Sequence, residues 1–193
     1  MQDELPPPSG PSGIVIAICA VGVLAIGFTL LLRSAMVPPV SPQIGRPFPR
    51  IEAVGWIDGP GPTADDLLGK VIVVDAWAYW CGPCRAATPY VIELHNKYKD
   101  QGVVFLGLTS EGLNPKSVDL SRQFVSSLKI PWPNGYGATK TLSALEVDTI
   151  PQLWVIDRQN RIVFHELGFG DNSISEMESA IKKALAESTG VKK

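Results

Sequence analysis

The chain has 193 residues, a formal net charge of −2 and a sequence pI of about 5.7, and 45% of its residues are hydrophobic. This length suits one domain with an appendage, and so apolar a chain can fill a core. The mildly acidic balance provides no basic surface for nucleic acid, and three cysteines are too few for a disulfide framework.

The N-terminal part divides into a polar tail and an apolar segment. Residues 1–13 are acidic and rich in Pro and Gly, which predicts a disordered tail. Residues 14–32 carry no charge, and as a helix they would span roughly 28 Å, about the thickness of the hydrocarbon core of a bilayer. We predict one transmembrane helix here. A cleaved signal peptide is the alternative, disfavoured by the absence of a basic n-region and of a clear cleavage site.

The charges that flank the apolar segment indicate its orientation only weakly. Asp3 and Glu4 precede it without any Lys or Arg, whereas Arg33, Arg46 and Arg50 follow it. By the positive-inside rule, this bias would place the C-terminal part of the chain in the cytoplasm.

Residues 33–47 are predicted to be a proline-rich linker. Because proline removes a backbone donor and fixes φ, the segment 37–49, with five prolines, cannot form a helix or an inner strand. We expect a semi-extended spacer of roughly 35–40 Å, at about 3 Å per residue. The folded domain is therefore predicted to comprise residues 48–193.

Within that domain, hydrophobic periodicity predicts a mixed sheet with helices on its faces. Ser173 and Glu176 form the pattern of a capping box at the start of the last helix. Residues 131–135 are predicted to be a loop. The predicted strands are 51–57, 70–78, 103–108, 152–156 and 161–166, and the predicted helices are 64–68, 82–99, 115–128, 139–145 and a last one from 173.

One carboxylate interrupts the most apolar of these strands. Residues 70–78 are rich in Val and Ile, which is typical of a central strand covered on both faces. Asp75 would point to the same side as Val73 and Trp77. A buried carboxylate is costly unless it has a role, and burial should raise its pKa.

The strand leads directly into the motif YWCGPCR, in which Cys81 and Cys84 stand two residues apart before a helical pattern. A helix N-terminus presents unpaired N–H groups and partial positive charge, so the pKa of Cys81 should be lowered. Cys84 lies one turn further in, close enough to form a disulfide, and Pro83 suits the first helical position. The pattern is typical of an attacking thiolate with a resolving thiol behind it.

Two other interpretations of the cysteine pair are disfavoured. A zinc site needs four ligands, yet Cys19 lies in the apolar segment and His95 and His165 are isolated. A purely structural disulfide is also disfavoured, because so small a ring removes little chain entropy. We therefore expect redox chemistry with no metal and no cofactor.

The sequence DAWAYWCGPCR at 75–85, with Pro89 beyond it and Thr149-Ile150-Pro151 before a strand, resembles the thioredoxin superfamily. The apolar segment, the proline spacer, the extra N-terminal residues and the added helix look like its TlpA/ResA branch of membrane-tethered thiol-disulfide oxidoreductases. The resemblance covers residues 48–187. It implies an α/β thioredoxin fold, with a central mixed β-sheet flanked by helices, an N-terminal extension and an inserted helix, preceded by one transmembrane helix.

The resemblance also implies roles for individual residues. Cys81 matches the family's nucleophile and Cys84 its resolving thiol, and Trp80 matches the aromatic residue beside the disulfide. Pro151 matches the cis-proline that faces the dithiol and offers its loop's backbone to the partner polypeptide, with Ile150 on the same surface.

The resemblance also bears on the net direction of the reaction and on proton transfer. The Gly82-Pro83 pair between the cysteines resembles that of the reducing members of the superfamily, which favours a reductase. Asp75 matches the buried acid that takes the proton from Cys84, although a purely structural hydrogen bond is the other interpretation. The branch often has a Glu three residues after the second cysteine; here that residue is Ala87, so we expect Asp75 to act in its place.

The resemblance finally implies partners and a location. It predicts a single-pass protein of the cell membrane, anchored in the lipid bilayer by residues 14–32, with its catalytic domain on the periplasmic side, against the weak charge bias. Its partners would be disulfide-containing protein substrates and a membrane dithiol electron donor. Cytochrome c maturation is one context, and other reductive repair is equally open. The alternative is a thioredoxin-fold copper-binding or metallochaperone module, in which Cys81 and Cys84 hold the metal.

Overall fold

The computed structural model describes residues 41–187, which belong to one compact unit that begins at Ser41. The predicted tail (1–13) and the predicted transmembrane helix (14–32) lie outside the described residues. Within residues 41–187, no helix is both long and apolar enough to cross a membrane.

The described residues form a mixed six-stranded sheet with the strand order β1-β4-β3-β2-β5-β6. Strand β3 runs parallel to β2 and β4, and the other neighbouring strands are antiparallel. The elements, in chain order, are β1 (Gly55–Ile57), α1 (Ala64–Leu67), β2 (Val71–Ala76), α2 (Gly82–Tyr98), β3 (Val103–Leu108), α3 (Pro115–Leu128), β4 (Asn134–Tyr136), α4 (Thr139–Ala144), β5 (Gln152–Ile156), β6 (Ile162–Leu167) and α5 (Ser173–Ala186). The predicted α/β fold with a mixed central sheet is confirmed.

Strand β2 is the centre of the domain, as its composition predicted. All six of its residues are buried. Val71 and Val73 face one core cluster, which includes the inner sides of α2 and α5, whereas Ile72 and Val74 face the other. Because β2 is covered on both faces, its C-terminal end is a rigid support for the loop that follows it.

The inner face of α2 also follows the predicted periodicity. Its buried positions recur at helical spacing and include Cys84, Ala87, Val91, Leu94 and Tyr98. They pack against the sheet, so the helix carries the second cysteine inward while its N-terminus stays at the end of β2.

Strand β4 falls where a loop was predicted. Asn134–Tyr136 pairs with β1 on one side and with β3 on the other. It is three residues long, follows Pro133 and contains Gly135. It therefore lacks the apolar run from which a strand can be predicted. Tertiary pairing alone makes this segment a strand.

The capping box predicted at Ser173 and Glu176 is wrong. Ser173 is the first residue of α5, and the preceding Asn172 makes no side-chain capping hydrogen bond. The Ser173 hydroxyl instead donates to Glu166 Oε1 (2.9 Å) and accepts from the Gly170 N–H (2.8 Å). The Ser173 hydroxyl thus bonds to a carboxylate on the neighbouring strand and does not cap the helix.

Residues 41–48, which we call the edge strap, pack along β6, although 33–47 was predicted to be a linker. The Gly45 N–H donates to the Ile162 carbonyl (2.8 Å), and the Ile162 N–H donates to the Arg46 carbonyl (2.9 Å). Strand β6 is an edge strand, so its outer backbone groups need partners. The strap supplies them, and the folded unit begins at Ser41.

One strap side chain is buried and fixes the strap to the domain. Gln43 is 6% exposed. Its amide donates to the Leu145 carbonyl (2.7 Å), and its oxygen accepts from Trp154 Nε1 (2.7 Å). Removing the strap would leave a buried indole N–H and a carbonyl without these partners, which is more costly than losing exposed hydrogen bonds.

A soluble chain that starts at Phe48 is therefore expected to be less stable than one that starts at Ser41. We expect the free energy of unfolding to fall by about 2–4 kcal/mol, since several backbone hydrogen bonds and two buried side-chain bonds are lost together. Denaturant unfolding of the two chains measures the difference. Coincident midpoints with equal slopes would contradict the structural role of the strap.

Candidate active site

The two cysteines of the motif lie at the N-terminus of α2 and form a disulfide, with their Cα atoms 5.3 Å apart. Cys81 is the N-cap, and its Sγ accepts from the Cys84 N–H (3.1 Å). Gly82 begins the helix and Pro83 lies in its first turn, where a missing N–H leaves no hydrogen bond unmade. The structure thus places Cys81 where a helix N-terminus favours negative charge.

Both sulfur-bearing residues are buried, but the residues between them are not. Cys81 is 4% exposed and Cys84 is 2% exposed. Gly82 and Pro83 are exposed, so the short turn between the cysteines forms the surface over the disulfide.

Asp75 lies near the end of β2, between β3 and β5, and is 6% exposed. Burial raises the pKa of its carboxyl from the usual 3.8 to about 7. It lies on the same side of the strand as Val71 and Val73, which pack in the core cluster that contains both cysteines. Among residues 41–187, no side chain or backbone group donates a hydrogen bond to this carboxylate. It is therefore a buried group that can hold or release a proton near neutral pH.

Trp80 stands beside the disulfide and is 64% exposed. Its Nε1 donates to Glu111 Oε1 (2.8 Å). Glu111 lies in the loop after β3, where its own N–H donates to Thr109 Oγ1 (3.2 Å). The sequence patterns did not single out Glu111. The available signal was a carboxylate just beyond a predicted buried strand, at the edge where parallel strands end.

The Ile150–Pro151 peptide bond is cis. Pro151 immediately precedes β5, whose first residue, Gln152, pairs with Ala76 at the end of β2. The loop therefore lies at the end of the sheet from which the chain proceeds to the cysteines. The Pro151 carbonyl accepts from the Gly168 N–H (2.8 Å), which ties the loop to the end of β6.

A cavity of about 300 Å³ joins two of the predicted surface residues, Trp80 and Ile150. Trp77 and Leu142 line its apolar part, and Ser110 adds a hydroxyl. A larger cavity, of about 1010 Å³, lies at the opposite end of β2, beside Lys70 and the turn between β5 and β6. The smaller cavity is lined by Trp80, which directly precedes Cys81, so we associate it with the site.

The described residues offer no cluster suited to a metal ion. Between residues 41 and 187, no group of three or more His, Cys, Asp and Glu side chains converges as a metal site would require. His95 packs against the rings of Phe105 and Trp132, and His165 stacks on Trp154. Among the described residues, no third His, Cys, Asp or Glu side chain joins Cys81 and Cys84, the pair that would hold copper in the alternative interpretation.

Comparisons with known proteins agree with this geometry. The Redoxin family model matches residues 45–185. Thiol-disulfide oxidoreductase ResA from a strain of Bacillus cereus is 28% identical over 170 residues, which is 88% of this chain and 92% of that protein. Protein DipZ of Mycobacterium tuberculosis is 30% identical over 130 residues, which is 63% of this chain and 18% of that protein.

Solved structures show the same fold. A protein described as the thiol:disulfide interchange protein DsbE from Chlorobium tepidum superimposes with a TM-score of 0.64 at 26% identity, covering 74% of this chain and 98% of that one. A thiol-disulfide isomerase from Corynebacterium glutamicum has a TM-score of 0.65 at 20% identity, covering 74% and 97% of the two chains.

Proposed function

Because the chain belongs to the Redoxin family and is a ResA-like thiol-disulfide oxidoreductase of the thioredoxin superfamily, we propose that Cys81 and Cys84 reduce the disulfides of extracytoplasmic proteins. The observation that carries this proposal is the position of Cys81 as the N-cap of α2, where its sulfur accepts the Cys84 N–H and is joined to the Cys84 sulfur.

The reaction has two displacement steps. In the reduced enzyme, the Cys81 thiolate attacks one sulfur of the substrate disulfide, and the other substrate sulfur leaves as a thiolate. Cys84, once deprotonated, attacks the Cys81 sulfur of this mixed disulfide and releases the second substrate sulfur. Two electrons pass from the dithiol to the substrate, and the Cys81–Cys84 disulfide forms.

Asp75 is proposed to accept the proton of the Cys84 thiol before the second step. A general base works best when its pKa is close to the working pH, and burial raises the pKa of Asp75 to about 7. The absence of any competing donor to its carboxylate among residues 41–187 supports this role over a purely structural hydrogen bond.

The partner polypeptide is proposed to lie across the exposed turn between the cysteines and the loop before β5. Trp80, Gly82 and Pro83 present exposed surface on one side. Ile150 and the cis-linked Pro151 lie at the same end of the sheet. The cavity between Trp80 and Ile150 is large enough to receive a side chain of the partner.

The chain is proposed to act while tethered to the cell membrane. The uncharged segment 14–32 would span the bilayer, with the tail 1–13 before it and a linker from residue 33 to the edge strap. The domain would face the periplasmic side, where disulfides persist. A membrane dithiol protein would return the pair to its reduced form, and apocytochrome c is one candidate class of substrate.

A trapping experiment tests the proposal. In the full chain, Cys84→Ser removes the resolving thiol, so the mixed disulfide between Cys81 and its substrate should persist and can be isolated from membranes. The double variant Cys81→Ser/Cys84→Ser is the matched control and should capture nothing. The compartment of the captured protein reports the orientation of the domain. If no protein is captured under conditions in which a thioredoxin lacking its resolving cysteine captures targets, the proposed function is wrong.

A further inference from the structure

A continuous chain of hydrogen bonds joins the edge strap to the loop that precedes Pro151. The Ser41 hydroxyl lies 2.6 Å from His165 Nδ1, and His165 Nε2 lies 2.8 Å from Gln152 Oε1. The Gln152 amide nitrogen then donates to the Thr149 carbonyl (3.0 Å). The chain thus connects the first described residue with a backbone group two positions before Pro151.

The chemistry of each group determines which atom donates and which accepts in these hydrogen bonds. Because the Gln152 NH₂ group donates to Thr149, its oxygen faces His165, and an amide oxygen can only accept. His165 Nε2 therefore carries a proton. Burial lowers the pKa of His165, which favours the neutral ring, and in the neutral ring Nδ1 accepts from the Ser41 hydroxyl. The Ser41 oxygen in turn accepts from the Gln43 N–H (3.3 Å).

The His165 ring is held in place by its surroundings. It stacks on Trp154, with centroids 5.1 Å apart and planes inclined by 13°. Trp154 is fully buried, and its Nε1 donates to Gln43 Oε1 of the strap. Gln152 is itself 2% exposed. The ring and the amide therefore have one available arrangement, and they hold the Thr149 carbonyl in one position.

The loop is thus fixed at both ends but open in its middle. Its entry is held at the Thr149 carbonyl by Gln152, and its exit is held at the Pro151 carbonyl by the Gly168 N–H. Within residues 41–187, nothing bonds the backbone N–H or carbonyl of Ile150. These two backbone groups are the ones left for a partner.

We propose that His165 and Gln152 are positioning residues for partner binding, which hold the Thr149–Pro151 backbone in the conformation that receives the partner polypeptide. The inference rests on the proposed function for the role of this loop. Without these hydrogen bonds, the loop samples more conformations. A partner must then order the loop on binding, which weakens association. The reactivity of the Cys81 sulfur should be unaffected, because Cys81 is supported by α2 and not by this loop.

The test compares variants of the full chain. Gln152→Met keeps the length of the side chain but removes both of its hydrogen bonds. Ser117→Ala is the control, since it also removes two side-chain bonds of a buried residue, those with the Gly112 N–H and the Asn114 carbonyl, but leaves Trp154 and the link from His165 to Thr149 in place. We expect Gln152→Met to speed hydrogen exchange about tenfold at the Gly168 amide, which donates to the Pro151 carbonyl, and to raise KM for a disulfide-containing protein such as insulin about tenfold. Alkylation of Cys81 by iodoacetamide should change less than about twofold.

A rescue distinguishes positioning from general stability. His165→Leu should behave like Gln152→Met. His165→Gln should restore the exchange rate and KM, because an amide NH₂ near the position of Nε2 can donate to Gln152 Oε1.

The inference is overturned if Gln152→Met leaves exchange at the Gly168 amide unchanged, if Ser117→Ala speeds it equally, or if exchange rises while KM stays constant. One further result would distinguish failure of this inference from failure of the proposed function. If the wild-type chain fails to reduce protein disulfides while the exchange pattern follows the expectation, the proposed function fails and the positioning of the loop stands.

Discussion

Replacement of Cys81 by serine is expected to abolish disulfide reduction, with turnover falling by about 10³-fold or more, because a hydroxyl at this position cannot attack a disulfide. The measurement is steady-state reduction of insulin by the full chain in the presence of a regenerating dithiol. Ala86→Ser is a suitable control, since it places a hydroxyl at an exposed position of the same helix and leaves both cysteines in place.

The variant Cys84→Ser should also lose turnover but keep the first step. In a single-turnover experiment, its Cys81 thiolate should form the mixed disulfide at a rate within a few-fold of the wild type, because the helix N-terminus that supports Cys81 is intact. The asymmetry between the two variants identifies the nucleophile. Equal loss of the first step in both, or survival of that step in Cys81→Ser, would contradict the assignment.

Asp75→Asn is expected to stabilise the protein at neutral and alkaline pH while it impairs the second step. The folded carboxyl keeps its proton up to about pH 7, whereas in the unfolded chain it ionises near its usual pKa of 3.8. Between these values the folded state binds more protons than the unfolded state, so the free energy of unfolding falls as pH rises from about 4 to 7. The shift of the Asp75 pKa lowers the free energy of unfolding by about 4 kcal/mol above pH 7, and this loss is absent in the variant.

Urea unfolding of both proteins at pH 4 and pH 8 measures this effect. We expect similar stabilities at pH 4 and a variant that is more stable by about 2–4 kcal/mol at pH 8, since the asparagine amide is neutral but still buried. In kinetics, the variant should accumulate mixed disulfide, with its second step about 10²-fold slower near pH 7. A stability difference that does not depend on pH would show that Asp75 is not the proposed buried acid.

The sequence predicted the parts of the site that depend on short-range patterns. The apolar run of β2 and the Cys-Gly-Pro-Cys motif placed Cys81 at the start of a helix, and the helical period placed Cys84 on its inner face. The two-residue period of the strand placed Asp75 on the side of the core that contains the cysteines. Each of these inferences needs only the local backbone geometry of a strand or a helix.

Features that depend on distant contacts could not be predicted in this way. The prolines of the edge strap indicate a spacer, yet Gln43 bonds groups of Leu145 and Trp154, about a hundred residues away. His165 is isolated in the sequence because its partners, Ser41 and Gln152, lie on other segments. Local patterns report which residues are apolar and how they repeat, but not which polar groups meet after folding.

The acidity of the Cys81 thiol tests the central claim most directly. The rate of alkylation of each cysteine in the reduced full chain, followed across a pH series, gives the fraction of thiolate at each position. We predict that Cys81 titrates well below the value of about 8.5 for free cysteine and reacts faster than Cys84 at neutral pH. If Cys81 titrates like free cysteine and reacts no faster than Cys84, the helix N-terminus does not activate it and the proposed mechanism is wrong.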